Sequence, residues 1–351
     1  MGLATDLLLL AIIILLIVIF WSRIEAVVQV ATAVITNSHI GSGFNFPNST
    51  QTSNTKNIGI GSLENYTLSL INKDRSEYGL SNVTIAPTPS GQQHANNMLQ
   101  YSYFSHWDIY GIKPYMRYTI LGGNGSMQEN VAYTKSGVKA CIGSLCTSYG
   151  NINVTAALAQ MEYNMMYNDS VCCNNGHRDN ILNPYHNEVS IGIAYNSSSV
   201  YLVEDFINNY ISWLNSTPRI IGNEIILEGN IAPGYKLSTI EMIYDPPVSQ
   251  MSVAQLDNTS EYSYGQAAAG IVSNPFDYYP SLITINADRY YVEGNDFFIE
   301  FNNSKVVRKY GAGEYTVALW LNGTATNGSF IGSTYTIFID PNGNVYTPSN
   351  V

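Results

Sequence analysis

Gly176-His177-Arg178-Asp179-Asn180-Ile181-Leu182-Asn183-Pro184 divides two kinds of chain. The residues after it alternate as a β-hairpin, Glu188–Tyr195 and Val200–Phe206, around the turn Asn196-Ser197-Ser198-Ser199. The residues before it carry helical spacing. Leu63, Tyr66, Leu70 and Tyr78 fall on one face of a helix expected over 62–78, with Ser62 as N-cap and Gly79 ending it. A second helix is expected over 90–100, with Ala95, Met98 and Leu99 turned inward. Pro114 opens a short third helix that Gly122-Gly123 closes, and a fourth covers 156–168. Beyond Asn215-Ser216-Thr217-Pro218 the character changes. Strands are expected at 220–228, 239–244, 282–285, 297–301, 315–321 and 334–339, with Gly, Pro and Asn between them, which reads as an antiparallel β-sandwich.

The chain has 351 residues, room for two domains, and 45% of them are apolar, enough for ordinary cores. Only 12% are charged, about half the usual share of roughly 25%. With 15 Lys plus Arg and a net charge of −11, no cationic cluster exists to neutralise phosphates, which excludes nucleic acid as a partner. Asn-x-Ser/Thr sequons start at Asn48, Asn65, Asn82, Asn124, Asn153, Asn168, Asn196, Asn215, Asn258, Asn302, Asn322 and Asn327, and together they favour an exported, glycosylated surface. Leu7–Trp21 is an unbroken apolar run, the core of a membrane anchor or signal segment over 1–25. No basic n-region precedes it, which favours an uncleaved transmembrane helix with the body outside, a cell-membrane location; cleavage would make the protein secreted. Residues 26–61 read as a flexible polar spacer, 62–212 as a mixed domain and 216–351 as a β-sandwich accessory domain.

Of four cysteines, Cys172 and Cys173 are neighbours. Bridges from Cys141 and Cys146 to Cys172 and Cys173 are expected, tying two loops together. A bond within the adjacent pair is not, because disulfides prefer Cα separations above ~4.4 Å. Free thiols and a metal site are the alternatives.

Chemistry concentrates in Ser105-His106-Trp107-Asp108, Pro114-Tyr115-Met116-Arg117, Gln128-Glu129-Asn130-Val131, Gly176-His177-Arg178-Asp179-Asn180-Ile181-Leu182, and the hairpin ending Glu204-Asp205-Phe206. This succession, over about 62–206, resembles the CAP superfamily, in particular its prokaryotic SCP-like branch. The resemblance implies an α-β-α sandwich whose cleft is lined by two histidines and two acids: His106, Glu129, His177, and either Asp169 or Glu162. The expected fold is therefore α+β, a CAP-like α-β-α sandwich followed by a C-terminal antiparallel β-sandwich, with an N-terminal transmembrane helix.

Two neutral imidazoles, His106 and His177, can hold zinc or another divalent metal, with Glu129 and Asp169 orienting a ligand or positioning water. The same four residues can equally form a buried network that holds loops in register. Three functions follow: a surface binding or interaction protein for a small molecule, lipid or protein; a metal-dependent, peptidase-like hydrolase; and a cell-envelope structural protein with a vestigial cleft. Elsewhere Arg117 reads as a clamp on a carboxylate or carbonyl, and Arg178 as a partner of Asp179, Asp205 or Glu204. His94 reads as a packing or surface residue, His39 and His186 as solvated loop residues, and the tyrosines as core and surface filling.

Overall fold

The computed structural model describes residues 59–348, apart from 136–139, 143–144, 148–151, 260 and 324–327. The apolar run, most of the spacer, His39, Asn48 and Asn327 lie outside the described residues. No helix among the described residues is long and apolar enough to cross a membrane. Residues from Ile58 onward form one compact unit.

The first half builds a four-stranded sheet between two helical layers. In chain order its elements are α1 (Ile60–Glu77), β1 (Thr84–Ile85), α2 (Ser90–Tyr101), α3 (Pro114–Ile120) and β2 (Ser126–Lys135). A small hairpin follows, β3 (Ala140–Ile142) and β4 (Leu145–Thr147), and then α4 (Val154–Tyr167), a 3-10 turn (Asp169–Val171), α5 (Gly176–Ile181), β5 (Glu188–Tyr195) and β6 (Ser199–Asn208). The sheet order is β1-β5-β6-β2. Side chains alternate across it. Leu202 and Phe206 pack with Leu63 and Ile71 of α1 and Leu158 of α4. Their neighbours Tyr201 and Val203 pack with Ala95 and Met98 of α2. This is the α-β-α layering that the motifs imply. The helix α2 lies so close to β5 that a Cβ on Gly192 would sit 1.9 Å from the Gly91 carbonyl oxygen.

Helix α1 begins two residues earlier than expected, with Gly59 rather than Ser62 as N-cap, and Gly79 (φ 72°) ends it in the left-handed conformation glycine favours. Its Arg75 is fully buried, and the guanidinium donates to the carbonyls of Ser81, Ile181, Asn183 and His186 at 2.6–3.0 Å. That fan of bonds fixes the turn between α5 and β5.

The second half contributes β7 (Ile211–Trp213), β8 (Arg219–Ile221), β9 (Glu224–Ile231), β10 (Tyr235–Asp245), α6 (Val253–Leu256) and β11 (Gln266–Val272). After them come β12 (Ile283–Asn286), β13 (Arg289–Glu293), β14 (Asp296–Asn302), α7 (Ser304–Tyr310), β15 (Gly313–Gly323), β16 (Ser329–Ile339) and β17 (Val345–Tyr346). Two sheets, β12-β11-β10-β15-β16-β17 and β13-β14-β9-β7, enclose a shared core of residues such as Leu227, Met242, Phe301 and Val317. The pairing is antiparallel except for β11 with β12, which run parallel. The sandwich is joined to the first half by hydrogen bonds: the Asn208 amide to the Ile331 carbonyl at 2.9 Å, and Thr334 N–H to the Gly125 carbonyl at 3.0 Å.

The cysteine pairing differs from expectation. Cys172 is bonded to its own neighbour Cys173, with Cα atoms 3.8 Å apart, and Cys141 is the register partner of Cys146 across β3–β4. The loops are therefore not cross-tied. Cys172 and Cys173 follow the turn at Asp169 and precede left-handed Asn174 and Asn175, and each sulfur is taken by the other.

Candidate functional site

Strand β2 organises the site. Glu129 and Asn130 are consecutive on it, so their side chains leave opposite faces of the sheet. Across the β2–β6 ladder Glu129 faces Asp205, and Asn130 faces Glu204. The His106 ring meets Glu129, and the backbone carbonyl of His177 is held by Asn130.

On the α2 face, the chain leaves α2 through left-handed Ser102 and brings His106 back over β2. His106 Nδ1 lies 2.9 Å from Glu129 Oε1. Glu129 Oε2 accepts a 2.5 Å bond from Arg117 of α3, whose other guanidinium nitrogen reaches the His106 carbonyl at 3.4 Å. Arg117 therefore clamps both members of the pair, and it is buried with them. Burial, then the nearby Arg117 charge, hold the His106 pKa down to about 4, so the ring is neutral at physiological pH. Burial pushes the Glu129 carboxyl up to about 7, against the pull of Arg117. His94, fully buried on α2, donates from Nε2 to the Ser105 carbonyl (2.8 Å) and supports the turn that carries His106.

At the start of α5, Asp169 meets His177. Their Oδ1 and Nδ1 are 2.6 Å apart, and Asp169 Oδ2 accepts the backbone N–H groups of His177 and Arg178 at 2.8 and 3.2 Å. One carboxylate thus caps the start of α5 and orients its first imidazole. Asn130 Nδ2 donates to the His177 carbonyl at 3.2 Å, and Asn180 Nδ2 donates to Asn130 Oδ1 at 2.9 Å. His177 and His106 keep 17% and 12% of their side chains open to solvent, so both rings are reachable at an edge.

Glu162 takes a different place. It is buried on α4, against Glu204 of β6, and its carboxyl meets no hydrogen-bonding group but that of Glu204. Burial, then the charge of Glu204, push its pKa well above the carboxylate range. Of the two candidate second acids, Asp169 is the one bonded to His177.

Other readings are corrected by the contacts. His186 is buried, between Asn208 Oδ1 at 2.7 Å and Asn180 Oδ1 at 2.8 Å, and burial holds its pKa down to about 3. It is not a solvated loop residue, because the carbonyl fan around Arg75 draws its turn inward. Arg178 bonds the Tyr78 hydroxyl at 3.1 Å and stacks on that ring rather than pairing with an acid.

The largest feature absent from the sequence reading is a strap between β10 and β11. It crosses the α2 face and closes over His106. Tyr262 receives the Glu129 N–H on its hydroxyl at 2.8 Å and sets its ring 4.9 Å from that of His106. Lys113 pairs with Asp245 at 2.6 Å, and the Tyr115 hydroxyl donates to the same carboxylate at 2.6 Å. Trp107 Nε1 donates to the Glu261 carbonyl at 3.1 Å. Leu256 of α6 is fully buried in the cluster with Ala95, Met98 and Val203. Gly111 (φ 75°) lies under the strap where a Cβ would come within 2.4 Å of the Ser249 carbonyl oxygen. The C-terminal half therefore supplies one wall of the site. The only signal for it was the Tyr-Ser-Tyr-Gly run at 262–265, which has no periodicity to set it apart.

Residues 68–209 match the family described as CAP, the cysteine-rich secretory protein family. The chain carries a CAP domain. Two solved structures are similar to it: an extracellular protein containing a SCP domain from Bacillus anthracis str. Ames, and the CAP domain of Enterococcal PrgA. The first is 17% identical with a TM-score of 0.29, over 43% of this chain and 44% of that one. The second is 17% identical with a TM-score of 0.25, over 41% of this chain and 59% of that one. The chain thus spans about half the length of each. No curated protein matches the chain in sequence.

In the CAP domain both imidazoles present the same chemistry. Each has Nδ1 against a carboxylate, which fixes the ring and leaves Nε2 outside that contact, and carboxylates orient metal-binding histidines in this way. Among the described residues, the group of three or more acid, thiol or imidazole side chains close enough to hold an ion is Asp169, Cys172, Cys173 and His177, and His106 is not in it. Both Glu129 oxygens are engaged, Oε1 by His106 and Oε2 by Arg117, so the carboxylate is committed to holding these two side chains.

Proposed function

We propose that this is an extracellular, membrane-tethered CAP-domain protein that binds rather than cuts. Its His/acid cleft takes zinc or another divalent metal through His106 and His177, and the metal or a small ligand held there serves a surface interaction. The observation that carries the reading is the pair of Nδ1–carboxylate contacts, His106 with Glu129 and His177 with Asp169. The commitment of Glu129 to Arg117 favours binding over a metal-dependent hydrolase. An exported body is supported by the apolar run at Leu7–Trp21 and by sequon asparagines that stand exposed, among them Asn65, Asn82, Asn124, Asn153 and Asn196.

Zinc content after equilibrium dialysis tests the proposal. The wild-type chain binds zinc, and the His106→Ala/His177→Ala variant loses it. Unchanged zinc in that variant withdraws the metal. A peptide-library screen tests the hydrolase directly: the binding reading expects no turnover above a Glu129→Gln control.

A further inference from the structure

We infer that Cys172, Cys173, His177 and Asp169 form a redox-gated site for a soft divalent cation, closed while the two cysteines are joined and open when they are reduced. One ligand atom from each of these four residues lies within 4.8 Å of every other. Cys172 Sγ sits 3.8 Å from Asp169 Oδ1, the same oxygen that contacts His177. Cys172 is exposed and Cys173 and His177 half-buried, so a cation and a reductant can both reach them. Two sulfurs, an imidazole nitrogen and a carboxylate oxygen are a donor set for tetrahedral zinc or its softer analogues. Tetrahedral bond lengths require ligand separations of roughly 3.3–3.8 Å, a small contraction for most of the cluster. Two pairs must instead part: the sulfurs, which breaking their bond allows, and His177 Nδ1 and Asp169 Oδ1, now 2.6 Å apart.

The site overlaps the proposed cleft at His177 and Asp169 but needs neither His106 nor Glu129, and neither cysteine belongs to the residues that the CAP resemblance brings.

The step that opens it is thiol–disulfide exchange with an external dithiol. The donor's two thiols become a disulfide, and their two electrons and two protons pass to the sulfurs of Cys172 and Cys173. A bound cation then displaces those two protons to solvent and holds both sulfurs as thiolates. In an oxidising exterior the pair stays joined and offers no thiolate. Arrival in a reducing environment, or an encounter with an extracellular dithiol, turns the cluster into a metal site.

Alkylation protection read peptide by peptide tests this on the full chain. The protein is reduced with a phosphine, given cadmium or zinc, pulsed with iodoacetamide and digested. Cys172 and Cys173 should be protected together by the metal, about tenfold or more relative to metal-free protein. The residue-resolved readout separates them from Cys141 and Cys146. Protection should fall in His177→Ala and in Asp169→Asn, and persist in His106→Ala, which removes the proposed cleft. Equal alkylation with and without metal in the wild-type chain overturns the inference, and no variant need fold for that outcome to count. Protection unaffected by both His177→Ala and Asp169→Asn also overturns it. So does equal metal binding at this locus by the oxidised chain.

Discussion

Replacing Arg117 by Met removes the guanidinium from a buried pair. The Arg117–Glu129 contact is 2.5 Å, and both side chains are almost wholly shielded. Breaking such a pair from one side leaves an uncompensated buried charge and costs about 3–5 kcal/mol, a large fraction of the roughly 5–15 kcal/mol that keeps a domain folded. Part of that cost depends on pH. The Glu129 carboxyl already titrates at about 7 in the fold, above its ordinary 4.5, and loss of Arg117 raises it further. A carboxyl whose folded pKa is raised binds more protons folded than unfolded. Its penalty is absent below about 4.5 and grows as pH rises toward the folded value. The stability gap between wild type and Arg117→Met should therefore narrow from pH 8 to pH 5 in urea titrations. Arg117→Met/Glu129→Gln should be more stable at pH 8 than Arg117→Met alone, because the orphaned charge is gone and the amide oxygen still faces His106 Nδ1. A gap below about 1 kcal/mol at pH 8, typical of an exposed pair, or one that does not change with pH, refutes the clamp.

Tyr262→Phe deletes the acceptor for the Glu129 N–H while keeping the ring on His106, and should cost about 1–3 kcal/mol in urea unfolding; a neutral result would mean that the strap does not bind the site wall. Gly192→Ala places a methyl 1.9 Å from the Gly91 carbonyl oxygen and should destabilise by more than about 3 kcal/mol, visible as loss of soluble protein or a large drop in melting temperature. Stability against pH should peak near mild acidity. Neutral His106 and His186, held down to about 4 and about 3, withdraw support as pH falls below 6.5, while Glu129 and Glu314, raised to about 7, withdraw it as pH climbs above 4.5. A curve that rises steadily to pH 8 would contradict the burial of these carboxyls.

Much of this architecture is legible in the residues because it is local. Helical spacing, Pro114 at a helix start and Gly79 at a helix end report nearest-neighbour geometry, and the β5–β6 hairpin announces itself by alternation. The motifs also place His106, Glu129 and His177 on the elements that flank β2. What escaped the sequence is carried by contacts between distant segments. Tyr262 meets Glu129 from 133 residues away, and Lys113 meets Asp245 from 132. Tyr262 is one of 27 tyrosines, and neither it nor Lys113 has a spacing that marks it out. His186 looks like a loop residue because its neighbours are polar, yet Asn180 and Asn208 supply it with two buried partners. Arg75 has no motif at all, and its role exists only once three carbonyls from 181–186 converge on it. Glu162, one to two turns before Asp169, is the fallback for the second acid on helical position alone. Only the register of β6 shows that it faces Glu204.

Imidazole nitrogen NMR of His106 and His177, recorded before and after zinc is added, bears most directly on the cleft. The account predicts that in both rings the proton sits on Nδ1, against Glu129 and Asp169, and that zinc shifts both Nε2 resonances. Rings that carry the proton on Nε2, or Nε2 signals that do not move with zinc, would contradict it.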